Sequence, residues 1–161
     1  MAEKRIDIVS DTHGMLAPSL LAELAGADLI IHAGDLTSTQ DVATLQTIAP
    51  LRACLGNNDL YYDYPWGIEK LVRFSVDGVR FAVAHYERDL PLKAVDVAVC
   101  GHTHRPLIEQ SREGALIINP GSPTFPRSQL GPTMARLWIR DGKVEDASIL
   151  QLPPEGRRFP W

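Results

Sequence analysis

The sequence predicts an α/β fold with two sheets, and two patterns predict it. The first third of the chain reads strand, helix, strand, helix, strand at short spacing, the pattern of right-handed crossover units around a parallel sheet. After Pro65 the rhythm changes to strands joined by hairpin turns, which places a second sheet in a mostly antiparallel half.

Taken in order, residues 5–10 (RIDIVS) alternate and are β-branched, the mark of a strand. Residues 18–25 (PSLLAELA) open with proline, carry leucines at helical spacing and stop at Gly26, so they predict a helix. Residues 28–32 give a second strand, residues 39–49 (TQDVATLQTIA) a second helix closed by Pro50, and residues 51–55 a third short strand. Strands at 70–76 and 79–84 flank Asp77-Gly78, a strong hairpin signal. A short helix is expected over 89–94, followed by a buried strand at 96–100 (DVAVC). Two further hairpins pair 107–111 with 115–118 around Glu113-Gly114, and 134–140 with 144–150 around Asp141-Gly142. The proline-rich stretch 121–132 is expected to be a surface loop, and residues from about 151 to 161 an irregular tail. The length of 161 residues predicts a single domain spanning 1–161.

Composition narrows the function classes. With 45% hydrophobic and 22% charged residues the chain is that of an ordinary globular protein rather than a disordered one. A net charge of −4 gives no whole-surface attraction to nucleic acid or anionic lipid, so no dedicated nucleic-acid surface is expected. Every apolar run falls short of the roughly 20 residues a membrane span requires, and no secretory segment follows the first residues. A cytoplasmic location is expected. The two cysteines, Cys54 and Cys100, each follow strand-like residues and predict buried free thiols.

The polar residues able to hold a metal collect at strand ends. Asp11-Thr12-His13 follows the first strand, Gly34-Asp35 the second, Gly56-Asn57-Asn58-Asp59 the third, His85 the hairpin strand and Gly101-His102-Thr103-His104 the strand after it. Ends of adjacent strands lie side by side in an open α/β sheet, and ligand sites form there. Singly, each segment has a plainer explanation: Asp11 a cap, Gly34-Asp35 a turn, His85 a hydrogen-bonded interior histidine. Two imidazoles two residues apart, as in Gly-His-Thr-His, would repel if both were charged, and a metal removes that difficulty. Four of the five histidines sit in these segments; the fifth, His32, is expected to support the site from behind or to pack internally. Asp11, His13, Asp35, Asn57, His85, His102 and His104 offer more donors than one ion of four to six ligands needs, which favours two ions sharing a carboxylate. The absence of cysteine from the set argues against a structural zinc site.

In this order, Asp11-x-His13, Gly34-Asp35, Gly56-Asn57-x-Asp59, His85 and Gly101-His102-x-His104 resemble the signature of the calcineurin-like metallophosphoesterase superfamily. The length, together with Asn119-Pro120-Gly121-Ser122 and Pro126-Arg127, resembles its small bacterial and archaeal phosphodiesterase branch. The resemblance implies a four-layer α/β/β/α sandwich of two mixed sheets flanked by helices. It implies two divalent ions, Mn first and Fe, Zn or Ni as alternatives. Asp11, His13, Asp35 and His104 would hold one ion, and Asp35, Asn57, His85 and His102 the other, with Asp35 as the bridge. A metal-bridging hydroxide would attack phosphorus in a small phosphodiester or other phosphate ester, so no side-chain nucleophile is needed. Histidine ligands must be neutral to bind, so activity is expected to fall at acidic pH.

Two departures qualify the resemblance. Familiar members carry histidine at the position of Asn58, as the proton donor to the leaving group, and an amide cannot fill that role. Substrates with good leaving groups are therefore expected. At His85-Tyr86-Glu87, relatives commonly have glycine and then histidine, which puts substrate shape in question. Thr103 and Asn119 can serve either the phosphate or their own turns. The alternative from another class is a protein-interaction scaffold of the same fold, as in the retromer subunit that resembles these enzymes; intact metal motifs argue against it. A dedicated nuclease would need a basic surface that this chain lacks.

Overall fold

In the computed structural model, which describes residues 2–65 and 67–154, two five-stranded sheets lie face to face. The elements run β1 (Lys4–Val9), α1 (Pro18–Leu24), β2 (Leu29–His32), α2 (Thr39–Ile48), β3 (Leu51–Ala53), β4 (Leu71–Val76), β5 (Val79–Ala84), β6 (Val97–Val99), β7 (Pro106–Gln110), β8 (Leu116–Pro120), β9 (Thr133–Arg140) and β10 (Lys143–Gln151). One sheet has the order β10-β9-β1-β2-β3, the other β4-β5-β6-β8-β7. Both are mixed: β1, β2 and β3 are parallel in the first, and β5, β6 and β8 are parallel in the second.

Alternation along the strands builds the layers. Ile6 and Ile8 of β1, Leu29 and Ile31 of β2, Phe81 and Val83 of β5, and Val97 and Val99 of β6 meet in the apolar layer between the sheets. The opposite face of the first sheet, through Val9 and Ile30, packs on Leu20 and Leu24 of α1 and on Val42 and Leu45 of α2. Pro18 in the first turn of α1 gives up only a donor that has no partner there. Ser38 caps α2 by accepting from the Asp41 amide at 3.1 Å. One charge is buried on the helix side of β1: Asp7 is fully covered and accepts from the guanidinium groups of Arg5 and Arg136.

The outer layer over the second sheet differs from the sequence expectation. No α-helix forms over 89–94; a 3₁₀ turn at Glu87–Asp89 and an irregular segment cover Ala82, Ala98 and Cys100 instead. The cause is Pro91, which lacks an amide and pushes the preceding residue out of helical geometry; Leu90 sits at ψ 131. The stretch 121–132 also departs from a plain surface loop, since Gly121, Ser122, Pro123 and Thr124 are buried. Gln151 closes β10 and Leu152 packs inside; the rest of the expected tail, from 155, lies outside the described residues.

The hairpin turns behave as their sequences demand. Asp77-Gly78 and Asp141-Gly142 all have positive φ, the requirement of the tight hairpin turn that matches strand twist. The last hairpin does not extend the second sheet: β9 returns to pair antiparallel with β1, closing the first sheet on its far side. Register then sets the site. Val9 pairs with His32 and His32 with Ala53, so the segments leaving β1, β2 and β3 emerge side by side, and β5 and β6 end level across Val83 and Val99. No described helix is long and apolar enough to cross a membrane.

Candidate metal centre

The segments that follow β1, β2, β3, β5 and β6 converge, and their donor atoms meet. Asp11 Oδ1 lies 3.3 Å from His104 Nε2, 3.8 Å from His85 Nε2 and 3.9 Å from His13 Nε2. Asp35 Oδ2 lies 3.5 Å from His85 Nε2 and 3.6 Å from His13 Nε2. Among the described residues two groups result, Asp11 with His13 and His104, and Asp11 with Asp35 and His85, each with one donor atom per residue within 4.8 Å of the others. His102 stands beside them, its ring 5.1 Å from that of His85. Asn57 is exposed and lines the same cleft as His85.

His85 and His104 are prepared in the same way. Each puts its Nδ1 2.7 Å from a backbone carbonyl, that of Ala33 and of Phe125 respectively. Donation through Nδ1 leaves the Nε2 lone pair facing the centre, the arrangement usual for a metal-binding imidazole. His85 Nε2 and Asp11 Oδ1 are buried and have no hydrogen-bond partner among the described residues. A buried polar atom without a partner costs on the order of 1–3 kcal/mol. Two of them pointing into one space suit a cation with oxygen and imidazole ligands, so the residues present fit divalent metal.

The electrostatics agree. Burial alone would raise the Asp11 carboxyl, but contacts with His104 and Ser10 outweigh it and hold the group below its ordinary value. Asp35 is likewise lowered: burial opposes ionisation, while contacts with His85 and Asn58 overcome it. Burial works against a charge on His85 as well, yet the facing Asp35 and Asp11 raise its pKa; His104 is raised chiefly by Asp11. The pocket is thus negative and favours positive charge, whether proton or metal. Burial and the neighbouring His85 lower His102.

Backbone strain concentrates here. Asp11, His13, Asp35, His102 and His104 have φ of 55°, 50°, 60°, 72° and 61°, a left-handed conformation that costs most side chains energy. Asp and His tolerate it better than β-branched residues, and such strain gathers at functional sites. Two motif glycines without positive φ are required by space instead. A Cβ on Gly56 would collide with the Asp35 carboxylate, and one on Gly101 with Ser10 and Asp11. These backbones pack directly against the carboxylates.

Several supports were hidden from sequence reading. Asp59 is buried and accepts from the amides of Asp35, Thr37 and Gly56 at 2.7, 2.9 and 2.8 Å and from the Tyr64 hydroxyl at 2.7 Å. It ties the Asp35 loop to the Asn57 loop. Asn58 is engaged rather than free: its backbone amide and its side-chain amide each donate to Asp35, both at 2.9 Å. Ser122 Oγ donates to the Asp11 carbonyl and Thr124 Oγ1 to that of Thr12, so the buried start of 121–132 braces the first loop. Asn119 serves its turns: it donates to the Gly101 carbonyl and to Thr103 Oγ1, and accepts from the Gly121 amide. His32 supports the site from behind, as expected. Its Nδ1 accepts from the Gly34 amide at 3.1 Å, which leaves Nε2 to donate to Thr12 Oγ1 at 2.9 Å. Both cysteines are buried free thiols, and burial pushes Cys100 up to about 12.

The family model for the calcineurin-like phosphoesterase superfamily domain matches residues 5–142. A probable metallophosphoesterase of Methanothermobacter thermautotrophicus is 35% identical, over 91% of this chain and 91% of that protein. A predicted phosphoesterase from Streptococcus pneumoniae has the same fold, with a TM-score of 0.71 at 23% identity over 96% of this chain and 95% of that one. Vacuolar Protein Sorting 29 from Cryptosporidium parvum also shares the fold, with a TM-score of 0.72 at 19% identity over 92% of this chain and 98% of that one.

Proposed function

This chain belongs to the calcineurin-like phosphoesterase superfamily, and on that premise we propose that it is a dinuclear metal-dependent phosphodiesterase. The observation that carries the reading is the pair of orphaned, buried donors, Asp11 Oδ1 and His85 Nε2, aimed into one space. One ion is assigned to Asp11, His13, Asp35 and His104, and the other to Asp35, Asn57, His85 and His102. Asp35 Oδ2 reaches both His13 and His85, which fits a carboxylate shared by the two ligand sets, and Asp11 Oδ1 reaches His13, His85 and His104 in the same way. Mixed oxygen and imidazole donors without a thiolate suit Mn²⁺ best in this reading. Such ions, when bound, lower the pKa of water and neutralise charge on phosphate.

The protein's own residues set the rest. Asn57 supplies a neutral oxygen, so the centre keeps more positive charge for a phosphate than another carboxylate would allow. Asn58 cannot protonate a departing oxygen, and its amide is already spent on Asp35. A leaving group must depart unaided, which favours diesters of acidic alcohols.

Metal analysis with an assay of bis(4-nitrophenyl) phosphate against 4-nitrophenyl phosphate in added Mn²⁺ tests the proposal. Two ions per chain and faster diester turnover are expected; fewer than two ions with no turnover on either would leave the scaffold reading. Within a series of aryl diesters the rate is expected to rise steeply with leaving-group acidity. A flat series would show that another residue donates the proton.

A further inference from the structure

A cleft of about 320 Å³ opens beside the centre, lined by Asn57 and His85, by the apolar surfaces of Leu60 and Tyr86, and by Lys70 and Arg88. Asn57 and His85 belong to the assigned ligand set, so the cleft adjoins the position of one ion. Neither Lys70 nor Arg88 forms an ion pair among the described residues. Arg88 is held differently: its guanidinium lies over the Tyr86 ring, 4.3 Å from the centroid, while Tyr86 packs edge-on to His85 at 5.3 Å. Stacking fixes the arm without using the N–H groups, which stay available to an anion. Asp89 also lines the cleft, so two cations face one carboxylate.

We infer that this cleft receives a second phosphate, and that the favoured substrates are disubstituted diphosphates, cleaved at the P–O–P linkage; the inference rests on the proposed phosphodiesterase activity. Leaving-group chemistry points the same way. An alkoxide leaving group approaches the basicity of hydroxide, whose conjugate acid has a pKa of about 15.7. A departing phosphate monoester has a second pKa of about 6, so it leaves without a proton donor. That removes the difficulty created by Asn58. In the reaction, the oxygen of water bonds to the phosphorus at the Asp35 end and the bond from that phosphorus to the bridging oxygen breaks. Its electron pair stays on the departing phosphate, and the two protons of water pass to solvent or to the product phosphates. Lys70 and Arg88 meet the charge that develops on the departing group.

Calorimetric titration of the Mn²⁺-loaded protein with methylenediphosphonate, which cannot be cleaved, and with methylphosphonate tests the inference. The diphosphonate should bind about tenfold or more tightly, the gain expected of charge-assisted contacts to a second anionic group. Lys70→Gln and Arg88→Gln, both at exposed positions, should each shrink that ratio, and together abolish it. A ratio near one, or one that persists in the double variant because the diphosphonate merely chelates the ions, overturns the inference. Wild-type turnover of bis(4-nitrophenyl) phosphate separates the two proposals. Turnover without a diphosphonate preference sinks only the diphosphate substrate; no turnover and no bound metal sinks the enzyme reading itself.

Discussion

His104 and His102 leave the same strand two residues apart, yet they belong to different regions of the site. His104 is buried, with one ring nitrogen held by the Phe125 carbonyl and the other beside Asp11. His102 is exposed, and its ring lies against those of His85 and Tyr86. The same division separates Asp59, whose carboxylate gathers the amides of two loops, from Asn57, which faces the cleft. The base of the site, Asp11, Asp35, His85 and His104, is ordered by the fold itself. The rim, Asn57, His102, Tyr86 and Arg88, is exposed or half-exposed and open to whatever the centre binds. Preorganisation is concentrated where charge must be fixed, and freedom where a substrate must enter.

The largest test of this division sits within the base. Asp35→Asn keeps the shape but removes the charge that the centre depends on. Turnover and bound metal should both fall by more than the roughly 10- to 100-fold that loss of an outer hydrogen-bond partner costs. Asn58→Ala, which deletes one of two donors to the same carboxylate and retains the backbone one, should fall inside that range. The reverse ranking, measured by metal content and diester rate, would remove Asp35 from its proposed place as the bridge.

Asp59→Ala comes next and separates support from chemistry. It leaves the amides of Asp35, Thr37 and Gly56 and the Tyr64 hydroxyl without their acceptor. The expected loss is on the order of 3–5 kcal/mol of folding stability, visible as a fall of about 10 °C in the melting temperature of the metal-free protein. A loss within about 1 kcal/mol would mean that water replaces Asp59, and that the base is less rigid than its hydrogen bonds imply.

Much of this was legible beforehand because it is written in residue types. Strand and helix periodicity, the Asp-Gly turns and the order of Asp, His and Asn at strand ends all survive in the structure within a residue or two. The meeting of Asp11, His13, Asp35, His85 and His104 follows from parallel register, which short spacing implied for β1 to β3 and which β5 and β6 also adopt. What escaped depends on partners distant in sequence. Nothing in Ser122 or Thr124 says that each donates to a carbonyl more than a hundred residues away. Asn58 read as the place of an absent acid, since only the fold brings its amide to Asp35. The helix expected over 89–94 fails at Pro91, which removes an amide and turns Leu90 out of helical geometry.

Behind the base, His32 gives a pH signature. Burial pushes its pKa from the ordinary 6.5 down to about 4. Between those values the unfolded chain binds the extra proton, so this stabilisation is complete above pH 6.5 and is lost as pH falls toward 4, about 3 kcal/mol in all. In metal-free protein, His32→Gln should flatten the stability profile over that window relative to wild type. Parallel profiles would place the acid sensitivity outside His32.

The smallest expected effect is the one that draws the boundary between the two regions. His104→Ala removes a donor to the Phe125 carbonyl, opens space in a buried position and leaves Asp11 without its nearest imidazole, so it should cost about 1–3 kcal/mol even without metal. His102→Ala deletes an exposed ring while its backbone amide goes on donating to Asp11, so metal-free stability should change by no more than about 0.5 kcal/mol. Metal occupancy should reverse the impression of harmlessness, since the ion assigned to His102 loses an imidazole and one equivalent of Mn²⁺ is held more weakly. If His102→Ala instead destabilises the metal-free fold as much as His104→Ala, the rim is part of the scaffold, and the distinction between an ordered base and an open rim fails at the loop where it is most sharply drawn.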